Sequence, residues 1–294
     1  YGRGGEPFLF VIERFHRSMN EIVISGQMKM ADIVTADQRA MLLMSRFGID
    51  LGVGDKTVKQ VCQEKGIHMD FFLLMVNVFL HPHFFPGKKL KNVDVTLLLL
   101  YLANAHEYYI REKIPALQTL VKAFLQHLDQ PAKGQIEKFF GDYIEEVVEH
   151  IEYEEQVVFP YIQTLVSVKN NTQSKGPEDQ ADPPPPFRLQ NHAMTGTRPG
   201  QTGTHSDPSD EDKEAIRQHG IREFEKRHND IEEKLSDLKN LLIKYVPPAG
   251  DRYLRIRILN ELFDLEQDLT DHARLEDKVL IPIVEQLEKQ IQKR

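Results

Sequence analysis

The chain has 294 residues, 40% of them hydrophobic, a formal net charge of −8, one cysteine, twelve histidines and no tryptophan. That is enough apolar material for a substantial core, and the acidity argues against a nucleic-acid partner, whose phosphates call for a basic surface. A lone Cys62 excludes an intrachain disulfide and any all-thiolate iron–sulfur or zinc site; in its helical context it reads as a small buried apolar residue.

No stretch is long and apolar enough to span a bilayer, and the apolar run Phe8 to Ile12 is too short for the core of a signal peptide. The cytoplasm is therefore the expected compartment, with no membrane partner. Residues 1–27 read as an N-terminal extension. Residues 28–88 read as a small helical domain whose centre, RFGIDLGVGDKTVKQVCQEKGI, holds a glycine-rich turn and an amphipathic helix. A helix-turn-helix reading of this unit fails, because the would-be recognition segment Met69 to Leu80 contains no Lys or Arg to meet phosphate. His81 and His83, in FLHPHFFPG, fit a proline-broken connecting loop better than a metal site.

From residue 89 onward four long helices are expected. Val93 to Leu128 carries apolar residues at three- and four-residue spacing and stops before Asp129-Gln130-Pro131. Pro131 to Val168 repeats the pattern, and Pro115 and Pro160 are expected to kink their helices. From about 169 to 212 the composition turns to Pro, Gly, Ser, Thr and Asp, too poor in aliphatics to offset its ordering entropy, so it reads as a mobile insert. His192 and His205 inside it read as bystanders, as do His127 and His219 on the outer parts of their helices. Asp212 to Val246 is a charged amphipathic helix ending at Pro247-Pro248, and Asp251 to Ile291 is the last, interrupted near Pro282. Joined as two hairpins, these make an all-α, up-down four-helix bundle behind a small helical domain.

One pattern occurs twice in the bundle. His106 is followed 44 residues later by His150 and Glu154; His228 is followed 44 residues later by His272 and Glu276. Each member of the second set lies 122 residues after its counterpart, and EHIEYEEQVVFPYIQTL (149–165) aligns with DHARLEDKVLIPIVEQL (271–287), Pro160 matching Pro282. A residue and the one four later share a helix face, so each His-x-x-x-Glu aims a nitrogen and an oxygen at one point. The first turn centres near Asp129, 23 residues after His106 and 21 before His150; the second centres near Ala249, 21 after His228 and 23 before His272. At about 1.5 Å per residue, antiparallel helices then deliver all six side chains to comparable heights. Four imidazoles and two bridging carboxylates suit two metal ions with open positions, iron ahead of manganese and zinc. Tyr108, Tyr109 and Tyr153 neighbour these ligands, and Glu155, Glu232 and Glu233 are either a polar path to the metals or surface charge.

The repeated H…HxxxE…(F/I)P pattern resembles hemerythrin-like domains, and Ala31 to Leu74 resembles, more weakly, the small N-terminal domain of the iron–sulfur cluster repair di-iron proteins of the RIC or ScdA type; together these stretches cover about three quarters of the chain. The resemblance implies a left-handed four-helix bundle with a non-haem, oxo- and carboxylate-bridged pair of irons held by His106, His150, His228 and His272 and bridged by Glu154 and Glu276. It implies repair or protection of damaged iron–sulfur proteins under nitrosative or oxidative stress, with nitric oxide or oxygen as small ligands and a nitric oxide reductase-type or oxygen-reducing activity open; a non-enzymatic binder or sensor of oxygen or nitric oxide is the alternative. The chain departs from the pattern twice. Leu51-Gly52-Val53 stands where family members usually carry adjacent cysteines, and His106 lies nine residues before Pro115 instead of eight, which puts Glu107 in the usual register.

Overall fold

A computed structural model describes residues 23–173, 230–248 and 251–292. Among these residues the regular structure is entirely helical; the backbone's sole sheet-like contact is an isolated bridge between Lys29 and Thr57. The chain folds as two compact units. The first includes 23–95 and 274–283; the second includes 96–173, 230–248, 251–273 and 284–292. Most of the expected insert, together with His192, His205, His219 and His228, lies outside the described residues.

The first unit is built from α1 (Met30–Ala36), α2 (Ala40–Arg46), α3 (Val58–Lys65) and α4 (Met69–Leu80). The glycine-rich turn takes left-handed backbone at Gly48, Gly52 and Gly54 (φ 66°, 96° and 62°), conformations that a Cβ disfavours. Thr57 then starts α3 with a capping box: its hydroxyl accepts from the Gln60 N–H, while the Gln60 side chain accepts from the Thr57 N–H. Gly66, at φ 67°, closes the same helix. Apolar side chains of α2 and α4 make the core, with the Phe47 ring edge-on to Phe72 at 5.1 Å and to Phe71 at 5.8 Å. Cys62 is fully buried in this unit, and burial pushes its thiol up to about 12.

Arg46 and Asn77 are buried polar side chains of this unit, and Asn77 is fully buried. Asn77 accepts from the Ile24 N–H (2.7 Å) and donates to the Ile24 and Leu73 carbonyls (2.9 and 2.7 Å). It thereby completes backbone groups of the entering chain that no helix supplies. The end of α4 is closed by cations: Arg39 donates to the Leu80 carbonyl and Arg274 to that of Phe79. Lys278 donates to the Pro82 and Phe84 carbonyls.

In the second unit, α5 (Val95–Tyr108) and α6 (Ile114–Leu125) are one rod joined by a π turn, Tyr109–Lys113. α7 (Gln130–Tyr153) starts at Asp129, whose carboxylate accepts from the Ala132 N–H, with Pro131 in its first turn. It continues through a π turn, Glu154–Val158, into α8 (Phe159–Gln173). α9, at 230–240, ends in a third π turn, Leu241–Tyr245. α10 (Arg252–Leu275), capped by Asp251, runs on through a π turn, Glu276–Leu280, to α11 (Ile281–Gln292), with residues 274–283 of this rod belonging to the first unit. One buried apolar cluster takes residues from four segments of this unit, including Tyr109 and Phe124, Tyr143 and Val147, Leu235 and Leu242, and Ile258 and Leu262.

The expected breaks at Pro115, Pro160 and Pro282 take the form of π turns within continuous rods. Each π turn closes on the residue just before a proline: Ile114 donates to the Tyr109 carbonyl, Phe159 to Glu154, Val246 to Leu241 and Ile281 to Glu276. Proline cannot donate to the carbonyl four residues back, and its ring crowds that carbonyl. Widening the preceding turn by one residue relieves the clash and keeps the rod going.

Two outcomes check this description. Replacing Asn77 by Ala strands the Ile24 N–H and carbonyl in the core and is expected to lower stability by about 2 kcal/mol in chemical denaturation; a change near zero would show that the segment is not anchored there. Native protein at pH 8 is expected to resist thiol alkylation at Cys62, reacting only at the rate of global unfolding, because a buried neutral thiol carries almost no thiolate. Labelling as fast as a free thiol's would contradict the burial.

Candidate metal centre

The second unit gathers most of the candidate ligands. His106 leaves the last turn of α5, His150 and Glu154 come from the end of α7 and the start of its π turn, and His272 comes from α10. Glu276 follows His272 by one helical turn and opens the next π segment. His106, Glu154, His272 and Glu276 are all buried, and one donor atom from each lies within 4.8 Å of the others. His106 is 1% exposed and both glutamates 0%.

The finer distances show how the donors converge. His106 Nε2 lies 3.2 Å from His272 Nε2 and 3.0 Å from Glu154 Oε2. The other oxygen of the same carboxylate, Glu154 Oε1, lies 3.0 Å from His150 Nε2. Nitrogen and oxygen ligands sit about 2.0–2.2 Å from a metal of zinc's size. Donors on adjacent corners of such a shell are then about 3.0–3.5 Å apart. The observed separations match, so this buried His/Glu group could hold a metal ion. Burying carboxylates in an apolar interior also calls for a compensating positive charge.

Of the six residues singled out by the repeat, four form the group, His150 reaches it through Glu154, and His228 lies outside the described residues. The register question at the first helix has a clear geometry. His106 points inward, whereas the Glu107 side chain is 41% exposed and pairs with Arg111 one turn on, at 3.3 Å. His81 is half-buried, with its ionisation pulled below the ordinary range mainly by burial, and His83 and His127 are exposed; none of the three joins a metal-like group among the described residues.

The π turn at Glu154–Val158 shapes the site. In a regular α-helix, residues five apart point about 140° away from each other. Here the Phe159 N–H bonds to the Glu154 carbonyl, and both side chains reach His106: Glu154 through its carboxylate, Phe159 by a parallel stack at 5.6 Å and 10°. Tyr109 packs edge-on to His272 at 5.8 Å and donates its hydroxyl to the Asp268 carbonyl.

Beside the histidines lies a cavity of about 30 Å³, measured as the volume open to the centre of a water-sized molecule. His106, Tyr109, His150, Ile231, Leu269 and His272 are among the residues that line it. On that measure one water needs about 10–15 Å³, so the space holds two or three waters or a small ligand of similar size. The cavity is silent in the sequence, because it depends on where apolar side chains fail to meet. Glu155, which the sequence leaves as either part of a polar path or surface charge, lies 3.3 Å from His106 Nδ1.

Compared with models of protein families and with curated proteins, the chain matches none.

Two substitutions test the geometry. Glu107→Ala is expected to leave metal content unchanged, since its carboxylate faces solvent; loss of metal in that variant would move the first-helix ligand to Glu107. Pro160→Ala restores a donor and removes the cause of the π turn. Metal-free protein should gain stability, by up to about 3 kcal/mol, while metal affinity falls as Phe159 and Glu154 lose their shared face. Denaturant titration and chelator competition read the two effects, and a variant that keeps full affinity would show the π turn to be dispensable.

Proposed function

We propose that this chain is a di-iron protein of the hemerythrin-like kind, a four-helix bundle behind a small helical unit, and that it protects or repairs iron–sulfur clusters under nitrosative or oxidative stress. The observation that carries the reading is the buried group of His106, Glu154, His272 and Glu276, four donors with the spacing of a metal shell. Its dinuclear character is supported by Glu154. One carboxylate oxygen faces His106 and the other faces His150, an orientation that suits a carboxylate shared between two cations. By the repeat alone, His228, which lies outside the described residues, is the sequence candidate to join His150 at a second position.

Imidazole and carboxylate without thiolate favour iron or manganese over copper(I) and structural zinc. When bound, two irons supply electrons and open positions for a small ligand. The chain's own residues do the rest. The histidines and glutamates set the spacing, Phe159 and Tyr109 pack against the imidazole rings, and the cavity beside them has room for a molecule such as nitric oxide or oxygen. The cavity also favours a second reading, reversible binding or sensing of oxygen or nitric oxide without turnover.

Metal-depleted protein titrated anaerobically with iron(II) is expected to take up two irons per chain and, on exposure to air, to develop oxo-bridge absorption in the near ultraviolet. His272→Ala should hold at most one. Binding of zinc alone, or no metal, would end the iron reading. The repair role is tested by adding diferrous protein to a nitric-oxide-damaged iron–sulfur enzyme and measuring recovered activity against the metal-free form. No recovery, with reversible oxygen binding instead, would favour the sensor.

A further inference from the structure

We propose that Glu155 is a positioning residue that sets the tautomer and orientation of His106; this rests on the metal reading above. The two nitrogens of the His106 ring face different groups. Nε2 points at Glu154 and His272, at 3.0 and 3.2 Å. Nδ1 points the other way, 3.3 Å from Glu155 Oε1. A neutral imidazole carries one N–H and one lone pair, and an ionised carboxylate only accepts. Glu155 therefore draws the proton to Nδ1, which leaves the Nε2 lone pair facing the donor group, the form in which a cation is bound.

Glu155 is not itself placed to be a ligand, because it sits on the far side of the ring from the converging donors. Its side chain is 27% exposed whereas that of His106 is 1% exposed, so it joins a buried ligand to the surface. The ring is held on a second side by the parallel stack of Phe159. Ligand, orienting carboxylate and stacking ring (Glu154, Glu155 and Phe159) all come from the π turn and the residue that closes it. In the second half of the repeat an acidic residue again follows the glutamate, Asp277 after Glu276, while Ile281 stands where the first half has Phe159.

The test uses the full chain with zinc(II) as a diamagnetic probe in competition with a chelator. Glu155→Ala is expected to weaken one of the two binding events about 10–100-fold and leave the other unchanged. Glu155→Gln, whose amide oxygen still accepts from Nδ1, should fall between Ala and the parent chain. Unfolding of the metal-free protein should be the same in all three, which separates positioning from structural damage. In zinc-loaded protein the Nδ1 proton of His106 should be visible by NMR and slow to exchange, and should be lost in Glu155→Ala. Parent-like affinity for both zinc ions in Glu155→Ala, with that proton retained, would overturn the proposal while leaving the metal centre standing. Failure of the parent chain to bind metal at all would overturn both.

Discussion

The energetics of the second unit turn on a carboxylate buried among imidazoles. An ionised carboxylate taken out of water costs several kcal/mol unless opposite charge and hydrogen bonds compensate it. Glu154, 0% exposed as Glu276 is, sits in a unit whose largest buried cluster is made mainly of Leu, Ile, Val, Phe and Tyr. Helices pack around such a group only when something there returns the lost solvation. The imidazoles at 3.0 Å from Glu154 begin that compensation, and a cation at their centre would complete it. Stability and metal chemistry are thus two aspects of the same charge balance.

Prolines set the register around that balance. Pro115, Pro160 and Pro282 each follow a π turn, and two of those three π turns open on a glutamate of the metal group. A helix-breaking residue inside a long rod would be a plain defect if the rod had to stay α-helical. Here the widened turn aligns side chains five apart that regular geometry would separate, and the donor set uses that alignment. The sequence shows the prolines and so forecasts a disturbance. It does not show whether a rod bends, breaks or widens, because that depends on what packs against it.

The legible and illegible parts differ in kind. Helix limits in the second unit could be read closely, because Asp129, Pro131, Asp251 and Pro247 act through their neighbours in sequence, by capping, by fixing φ or by removing a donor. In the small unit the glycine-rich turn and the amphipathic helix after it were similarly readable. Asn77 was not. Its value lies in the Ile24 backbone, 53 residues away, and only folding brings the two together. The choice between His106 and Glu107 was open for a related reason: adjacent residues differ by about 100° around a helix, and spacing alone leaves that rotation undetermined. The sequence leaves Glu155 between a polar path and surface charge, one carboxylate among many on a charged helix until a ring nitrogen lies beside it.

By itself, then, the amino-acid order determined which residues form helices and placed histidines and glutamates at matching distances from two turns, since periodicity and caps act over a few residues. Tertiary packing decided which of those side chains converge, which faces water, and where an apolar cavity opens beside them. Convergence is a matter of helix rotation and of contacts between distant segments, and a difference of one residue in a long rod is settled only by what the rod is pressed against.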